Sequence, residues 1–283
     1  MEIIRTVSGL REAVARAKAN GLSVGLVPTM GALHAGHISL VDRARRENDV
    51  VVVSVFVNPT QFNNATDLQT YPRTEEADCA KLEAAGVDIA FVPTVEEMYP
   101  EEDKRQFDLG EVAAVMEGPM RPGHFNGVAQ VVSKLFSFAQ PDRAYFGEKD
   151  FQQIAVIRKM VELEKFNIEI VDCPIKRHDD GLAMSSRNVR LTAGQRSQAP
   201  AIWRTLKKSV EWARDHSLED TRRWVTDELN AIPGFRVEYY EIVDPLTMQP
   251  LKEWSTPHNG CAHGCITCYV GDVRLIDNIK YER

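Results

Sequence analysis

The sequence predicts an α/β fold in which a doubly wound parallel sheet is followed by a second, smaller α/β domain. Apolar segments alternate with segments of helical periodicity through the first two-thirds of the chain, and the last third changes to long helices followed by an alternating strand. The early strands are mostly apolar rather than alternating, which is typical of a sheet buried on both faces. Such sheets bind ligands beyond the carboxyl ends of their strands, so we expect functional residues in those loops.

The elements are expected in a regular order along the chain. The predicted strands cover residues 22–27, 50–57, 87–92, 143–146 and 168–171, and the predicted helices cover residues 6–20, 39–46, 75–85, 127–138 and 151–164. Pro28 has no N–H to donate to a neighbouring strand, so the first strand is expected to end there. The last third predicts helices over residues 192–216 and 218–232, then a half-buried strand over residues 236–243.

Composition excludes several classes of protein. The 283 residues are 43% hydrophobic and carry a net charge of −7, which suffices for a folded core but leaves no bulk basic surface for nucleic acid. No apolar run approaches the roughly 18 residues of a membrane span, and the amino-terminal residues lack a hydrophobic signal core. Five cysteines, an odd number, argue against a disulfide framework. We therefore expect a cytoplasmic protein with reduced thiols, no nucleic-acid partner and no membrane association.

The segment over residues 27–37 is the candidate centre of function, because it joins the first strand to a helix through a short turn. His34 and His37 are three residues apart and can share one face of the first helical turn. Free backbone N–H groups and the helix dipole favour phosphate there, and imidazoles add hydrogen-bond donors. Gly31 and Gly36 allow a ligand to approach the backbone. Alone, a His-x-Gly-His pattern is weak evidence; its place after a strand and turn strengthens the interpretation.

Later loops carry further polar candidates. Asn58 and Gln61 follow the second strand and offer amides to a small polar substrate, although composition alone favours an ordinary polar loop over a substrate contact. Residues 118–127 are rich in glycine and proline and form either a lid or a crossover loop, in which Arg121 and His124 are able to reach an anion.

Two more segments carry residues that could bind phosphate. Lys149 follows the fourth strand at the start of a predicted helix, and Gln153 would face the same way one turn later. Ser185, Ser186 and Arg187 lie in a loop preceded by glycine, which suits a second phosphate clamp. A solvated turn and a hinge or helix cap remain the alternatives for these two segments.

A group of cysteines and histidines near the carboxyl terminus imitates a metal motif. Cys261, Cys265 and Cys268 have a spacing seen in iron–sulfur proteins, and His258 and His263 also suggest zinc. Too few residues follow Cys268 to build a radical-enzyme barrel, and a regular strand would put Cys268 on the opposite face from the other two thiols. We expect a buried strand, with a metal site as the alternative.

The motifs taken as a set resemble a known family. His34-Ala35-Gly36-His37 is similar to the HIGH signature of nucleotidyl transferases, and residues 184–187 are similar to the KMSKS-type loop of the same superfamily. Together with residues 56–62, 71–73, 121–127, 147–153 and 274–278, they resemble the pantoate-beta-alanine ligase family over nearly the whole chain. Ala35 and Ala183 depart from the two superfamily patterns. Ala183 stands where the KMSKS-type loop has its first lysine, so Lys149 and Arg187 would supply the positive charge instead.

The resemblance implies a cytoplasmic, homodimeric, two-step ligase that condenses pantoate with β-alanine through pantoyl adenylate. It implies a Rossmann-like domain over residues 1–176 and a lid domain over residues 177–283, with residues 116–127 as a further lid candidate. ATP would enter as a substrate with Mg²⁺, and no protein metal site is expected. The implied catalytic residues are His37, His34, Lys149 and Arg187. The implied substrate contacts are Gln61, Gln153, Asn58 and Tyr71. The implied ATP contacts are Met30, Gly31, Ala32, Leu33, His34, Ala35, Gly36, His37, Gly147, Glu148, Lys149, Asp150, Lys176, Met184, Ser185, Ser186 and Arg187.

Three other functions stay open from the residues alone. A related adenylyl or cytidylyl transferase shares the HIGH geometry, and a class I aminoacyl-tRNA synthetase does so in a longer chain with an RNA-binding extension. A nucleotide sensor without turnover retains the same fold. Consumption of β-alanine distinguishes the ligase from all three.

Overall fold

The computed structural model describes residues 1–254 and 261–282, and its contacts divide the chain into two compact units. Unit 1 comprises residues 1–110, 118–148 and 156–174, and unit 2 comprises residues 111–117, 149–155 and 175–283. Two short segments that come early in the chain therefore belong to the second unit. The predicted domain boundary between residues 176 and 177 stays a prediction, because these units are defined by contacts and not by independent folding.

Unit 1 is built on a parallel sheet of six strands. The strands are β1 (Glu2–Ile4), β2 (Val24–Thr29), β3 (Val50–Val55), β4 (Ile89–Phe91), β5 (Arg143–Gly147) and β6 (Glu169–Cys173). Their order across the sheet is β1-β4-β3-β2-β5-β6, and every pair is parallel. The chain winds from β2 to one side and then returns to the other side through β5, so the fold prediction is confirmed. The direction changes between β2 and β5, which is where such sheets bind ligands.

Eight helices precede β6, and the predicted ones are confirmed. They are α1 (Val7–Ala19), α2 (Ala35–Glu47), α3 (Ala65–Thr70), α4 (Glu75–Ala84), α5 (Val95–Met98), α6 (Glu117–Met120), α7 (His124–Ala139) and α8 (Phe151–Glu164). Short 3-10 helices cover Pro59–Gln61, Gly110–Ala113 and Glu148–Asp150. Helix α2 starts four residues earlier than predicted because His34 caps it.

The predicted end of the first strand at Pro28 is wrong, since β2 runs on to Thr29. The carbonyls of Ser23 and Thr29 accept hydrogen bonds from the β3 side, and the carbonyl of Val24 accepts one from the β5 side. Successive residues of a strand alternate between neighbours, so the nitrogen of Pro28 faces β5. Pairing with β5 ends at Leu26. Proline is tolerated here because no ladder hydrogen bond is needed on that side.

Among its described residues, the part of unit 2 that follows β6 combines helices with an antiparallel sheet, as the smaller α/β domain was predicted to do. The helices are α9 (Ala193–Gln198), α10 (Ala201–Trp212) and α11 (Leu218–Asn230), and the strands are β7 (Phe235–Val243), β8 (Cys261–Val270) and β9 (Val273–Glu282) in the order β7-β8-β9. The single helix predicted over residues 192–216 is wrong. It is divided at Pro200, which has no N–H to continue a helix and stands at the amino end of α10.

Each unit has its own apolar core. In unit 1, Val27, Val53 and Ala90 come from three neighbouring strands and are fully buried. In unit 2, Leu206 and Val225 of two helices join Ile242, Ile266 and the rest of a continuous cluster. All five cysteines carry free thiols. Within residues 1–254 and 261–282, no helix is long and apolar enough to cross a membrane.

The close approach of helix α7 to the backbone of residues 60–61 at Gly127 yields a stability prediction. A Cβ added at Gly127 of α7 would lie 2.3 Å from the carbonyl oxygen of Thr60 and 2.7 Å from Cα of Gln61. Backbone cannot yield as a side chain does, so we expect Gly127→Ala to destabilise the protein by about 1–3 kcal/mol. The measurement is urea unfolding followed by circular dichroism.

Gly194→Ala provides the matched control. Gly194 is also helical, and a Cβ there meets nothing within 4 Å. Alanine should leave stability unchanged or raise it by about 0.5–1 kcal/mol. Equal behaviour of the two variants would contradict the packing argument.

Candidate active site

The loop after β2 turns sharply before α2 begins. Gly31 and Ala32 have positive φ angles of 77° and 50°, so the chain makes two consecutive left-handed steps. Glycine adopts this conformation freely, whereas alanine does so at a cost of roughly 1–2 kcal/mol. Contacts elsewhere must hold the turn in place.

Asp78 of α4 supplies those contacts, a role that no sequence motif indicated. Its carboxylate is fully buried and accepts hydrogen bonds from the backbone N–H groups of Ala32 at 2.8 Å and Leu33 at 2.7 Å. The hydroxyl of Thr74 donates a third at 3.0 Å. Lys81 donates to the carbonyl of Leu33 at 2.7 Å from the same helix. Acidic residues in a first helical turn usually face solvent, so only the tertiary structure distinguishes Asp78 from its neighbours.

His34 and His37 cap the amino end of α2 reciprocally. The N–H of Gly36 donates to Nδ1 of His34 at 3.1 Å, and the N–H of His34 donates to Nδ1 of His37 at 3.3 Å. The two ring centroids lie 4.1 Å apart. An imidazole nitrogen that accepts a hydrogen bond carries no proton, so each neutral ring has its proton on Nε2. Both rings therefore offer Nε2–H as a donor beside a helix amino terminus.

The amides predicted to contact substrate lie together after β3. Asn58 and Gln61 are buried, and Nδ2 of Asn58 donates to Oε1 of Gln61 at 3.1 Å and to the carbonyl of Gly127 at 3.1 Å. Nε2 of Gln61 donates to the sulfur of Met30 at 3.1 Å. This contact joins the loop after β3 to the loop after β2, so two predicted segments do meet. The hydroxyl of Tyr99, absent from the prediction, donates to Oδ1 of Asn58 at 2.9 Å.

Arg121 and His124 act on this cluster through its backbone. Nη1 of Arg121 lies 3.0 Å from Nε2 of His124, and because arginine only donates, that imidazole nitrogen must accept. The other nitrogen, Nδ1, then donates to the carbonyl of Gln61 at 2.8 Å. The predicted contact Tyr71 is also buried and packs edge-on against Phe62, with ring centroids 5.7 Å apart.

Lys149 lies in the 3-10 turn that follows β5, immediately before α8. Gly147 ends β5 and Glu148 begins the turn. Nζ of Lys149 lies 3.1 Å from a carboxylate oxygen of Asp150, and the lysine side chain is only 17% exposed. Gln153 is half-buried in the first turn of α8.

The residue before Gln153, Gln152, has a structural role that the sequence did not indicate. Its side chain accepts from the N–H of Glu117 at 3.1 Å and donates to the carbonyls of Val112 and Val115 at 2.9 Å and 2.8 Å. The carboxylate of Glu117 accepts from the side chains of Tyr239, Thr267 and Arg274. These bonds explain why residues 111–117 belong to unit 2.

A tight hairpin in unit 2 brings together Lys176 and Met184, two of the predicted ATP contacts. The N–H of Met184 donates to the carbonyl of Lys176 at 3.0 Å. Arg177 pairs with Ala183 in an antiparallel bridge. Two segments that are separated in sequence by the hairpin tip therefore lie side by side.

The Ser-Ser-Arg segment directly follows this hairpin and opens a 3-10 helix. Oγ of Ser185 accepts from the N–H of Arg187 at 3.2 Å, and Ser186 is the first residue of Ser186–Arg190. Nδ2 of Asn188 donates to the carbonyl of Ala183 at 3.0 Å, which ties the segment back to the hairpin. All three predicted residues are half-buried. The helix cap that was predicted as the alternative is present. A cap and a phosphate contact are compatible, so the phosphate role stays a prediction.

The cysteine motif forms part of β8, as expected for a buried strand. Cys265 and Cys268 are buried and belong to different apolar clusters on opposite faces of the sheet. Burial raises the pKa of each thiol to about 12 and lowers the pKa of His263 to about 4. Among the described residues, no group of three or more His, Cys, Asp or Glu side chains is placed to hold a metal ion. His258 lies outside the described residues.

A family model matches the chain along nearly its whole length. The model is described as pantoate-beta-alanine ligase and matches residues 2–280. Relatives named pantothenate synthetase include one from Porphyromonas gingivalis, 60% identical over 283 residues and covered fully in both chains. Another, from Bacteroides fragilis, is 57% identical over 282 residues, which is 100% of this chain and 99% of that one.

Solved structures agree with the sequence relatives. The pantothenate synthetase of Thermus thermophilus has a TM-score of 0.92 at 47% identity, with 100% of both chains covered. The pantoate-beta-alanine ligase of Francisella tularensis, solved in a complex with an ATP compound and β-alanine, has a TM-score of 0.78 at 36% identity and covers 99% of this chain and 97% of that one. The sheet order, the HIGH-type helix start and these matches lead to one conclusion: this chain belongs to the pantoate-beta-alanine ligase family.

Proposed function

We propose that this chain catalyses the ATP-dependent condensation of (R)-pantoate with β-alanine, giving pantothenate, AMP and pyrophosphate through pantoyl adenylate. The observation that carries the proposal is the reciprocal capping of α2, because it gives both histidines the same fixed tautomer. Two Nε2–H donors at the positive end of a helix suit the phosphates of ATP. Membership of the family supplies the substrates.

In the first step, a carboxylate oxygen of pantoate attacks the α-phosphorus of ATP. A bond forms between that oxygen and phosphorus, the bond to the β-phosphate oxygen breaks, and pyrophosphate leaves with its electron pair. A carboxylic acid with a pKa of about 4 is already ionised at neutral pH, so no general base is needed. Catalysis then depends on positioning and on stabilising the charge that gathers on pyrophosphate.

We assign that stabilisation to six side chains that donate hydrogen bonds or carry positive charge. His34 and His37 donate through Nε2–H, Lys149 and Arg187 carry positive charge, and Ser185 and Ser186 supply hydroxyl donors. Mg²⁺ enters as part of the substrate Mg-ATP and offsets charge on the phosphate oxygens. The remaining predicted ATP contacts are Met30, Gly31, Ala32, Leu33, Ala35, Gly36, Gly147, Glu148, Asp150, Lys176 and Met184.

We assign pantoate to the amide cluster after β3, with Asn58, Gln61 and Tyr71 as contacts and Gln153 as a further one. The support within unit 1 is that Asn58 and Gln61 are neutral, buried and held by fixed partners. Neutral amides bind hydroxyl and carboxylate oxygens without neutralising the carboxylate that must attack. The contact between Gln61 and Met30 joins this cluster to the proposed ATP loop.

In the second step, the amine of β-alanine attacks the carbonyl carbon of pantoyl adenylate. The carbon–nitrogen bond forms, the bond to the phosphate oxygen of AMP breaks, and the amine loses a proton. A free amine of this type has a pKa of about 10, so the deprotonated form must be generated or captured. Water must be excluded, because it hydrolyses acyl adenylates, and residues 116–127 with the predicted carboxyl-terminal domain over residues 177–283 stay our candidates for a lid.

The remaining proposals concern the setting of the enzyme. We place it in the cytoplasm, where ATP is supplied and where its five free thiols stay reduced. We propose a homodimer on the family resemblance, which sedimentation or light scattering will test. The substrates are small molecules, and the acidic composition gives no support for a nucleic-acid partner.

Pyrophosphate release tests the proposed reaction directly. We expect multiple turnovers with Mg-ATP, D-pantoate and β-alanine, with equimolar AMP, and at most one turnover when β-alanine is omitted. The measurement is a coupled pyrophosphate assay with AMP quantified by chromatography. ATP binding without pyrophosphate in either mixture would indicate a nucleotide sensor or a different acid substrate.

His37→Ala tests the histidine donors. We expect pyrophosphate release to fall about 10²–10³-fold, as is typical when a preorganised donor to developing charge is removed. His216→Ala is the control, because His216 stacks on Trp212 in unit 2 and has no assigned role. Unchanged turnover in His37→Ala, with a normal circular dichroism spectrum, would refute the assignment.

Asp78→Asn tests whether the turn before α2 must be fixed. The amide has one acceptor oxygen in place of two, so at least one N–H of the turn loses its partner, and we expect a loss of about 1–3 kcal/mol in stability. Adenylate formation should fall with it, because the turn leads directly into His34. Urea unfolding and the pyrophosphate assay measure the two effects.

Asp142→Asn is the matched control for Asp78→Asn. The Asp142 carboxylate accepts the N–H of Val24 at 2.7 Å, at the amino end of β2 and so at the opposite edge of the sheet. We expect it to change stability without changing kcat. A similar loss of kcat in both variants would show that the effect of Asp78 is merely general destabilisation.

A further inference from the structure

Two neighbouring residues of β9 reach two different loops of unit 2. Asp277 and Asn278 are both buried, at 5% and 7% exposure. The Asp277 carboxylate accepts two hydrogen bonds from the guanidinium of Arg177, at 2.7 Å and 2.9 Å. Nδ2 of Asn278 donates to the carbonyl of Lys149 at 3.3 Å. One strand thus contacts both the turn that carries Lys149 and the hairpin that precedes Ser185.

The Arg177 contact is built to hold a single geometry. The guanidinium lies 3.6 Å from the centre of the Trp203 ring and also donates to the carbonyl of Gly181 at 3.2 Å. A Cβ at Gly181 would lie 2.2 Å from Cδ1 of Trp203, and the φ angle of this residue is 93°. Arg177 is therefore fixed by a carboxylate, an aromatic face and the tip of its own hairpin.

The two contacts are also joined to each other. The N–H of Asn278 donates to Oδ1 of Asp277 at 2.8 Å, so the backbone of β9 helps to orient the carboxylate that holds Arg177. Asp277 and Asn278 lie in the middle of β9. Their contacts therefore connect this strand to the main chain of Lys149 and, through Arg177, to the hairpin. Without such contacts, the side chains of these two loops would lose more conformational entropy each time ATP binds.

We propose that Asp277 and Asn278 are positioning residues for adenylate formation, which hold Lys149 and the segment over residues 185–187 ready for the phosphates of ATP. This inference rests on the proposed function, because it uses the phosphate roles assigned to those loops. It gives a role to the Asp-Asn pair of residues 274–278, which the resemblance included without one. The two residues touch no reacting atom and act through Arg177 and Lys149.

The two half-reactions separate a positioning role from a structural one. Pyrophosphate forms and leaves only in the first step, whereas the second step starts from pantoyl adenylate and β-alanine. We expect Asp277→Asn to lower kcat for pyrophosphate release about 10²-fold, the size of effect produced by misplaced catalytic groups. Pantothenate formation from chemically prepared pantoyl adenylate should change less than about threefold.

Two further variants complete the experiment. Asn278→Ala removes one neutral hydrogen bond and should lower the first step about 5–10-fold, and it decides the question if Asp277→Asn fails to fold. Glu238→Gln is the control, because Glu238 of β7 accepts from Arg274 of β9 at 2.8 Å and has no contact with Lys149 or the hairpin among the described hydrogen bonds. It should leave both half-reactions within about twofold of wild type.

A double-mutant cycle tests whether Arg177 and Asp277 affect the first step through one contact. Arg177→Gln and Asp277→Asn act through one pair, so the double variant should be no slower in the first step than the slower single variant. Equal loss in both half-reactions, or no loss in either, would overturn the positioning role. The wild-type pyrophosphate assay is independent of these variants, so the proposed ligase activity would then stand while this inference falls.

Discussion

The carboxylate of Asp78 is the constraint on which the β2–α2 junction depends. The chain must leave a central strand, make two left-handed steps and enter α2 with the correct pitch. A buried carboxylate normally carries a high desolvation cost. Here two backbone N–H groups and a hydroxyl satisfy it, and Lys81 lies 3.9 Å away. The same bonds fix the turn, so the desolvated charge and the strained backbone stabilise each other.

Helix α2 depends on that turn for an unusual cap. Serine, threonine, aspartate and asparagine are the common capping residues because their oxygens accept backbone N–H groups. In α2 the acceptors are imidazole nitrogens, so the cap and the proposed ligand donors are the same two side chains. Helix geometry thereby determines the tautomer: a neutral His34 or His37 ring carries its proton on Nε2, the atom that we propose as a donor to phosphate. Protonation of either Nδ1 would break the cap.

Unit 2 uses buried polar contacts to gather segments that are distant in sequence. Glu117 accepts from three side chains of the antiparallel sheet, and Gln152 holds the backbone that leads to Glu117 by bonding to Val112, Val115 and the N–H of Glu117. Asp277 and Asn278 do the same for the loops that carry the proposed cations. Each of these contacts joins residues that are far apart in the chain, so short segments that precede β6 become part of the second unit.

The sequence by itself determined the parallel sheet, the positions of most helices and the loops that carry the candidate residues. Apolar runs and helical periodicity are local properties, and the carboxyl-edge rule then places His34, His37, Asn58 and Gln61 without further information. Only the tertiary structure decided the roles of Asp78, Gln152 and Asp277, the passage of Pro28 through β2 and the break at Pro200. The physical reason is that a buried hydrogen bond depends on which groups meet after folding. A polar residue has the same local pattern whether its partner is water or a backbone N–H from a distant part of the chain.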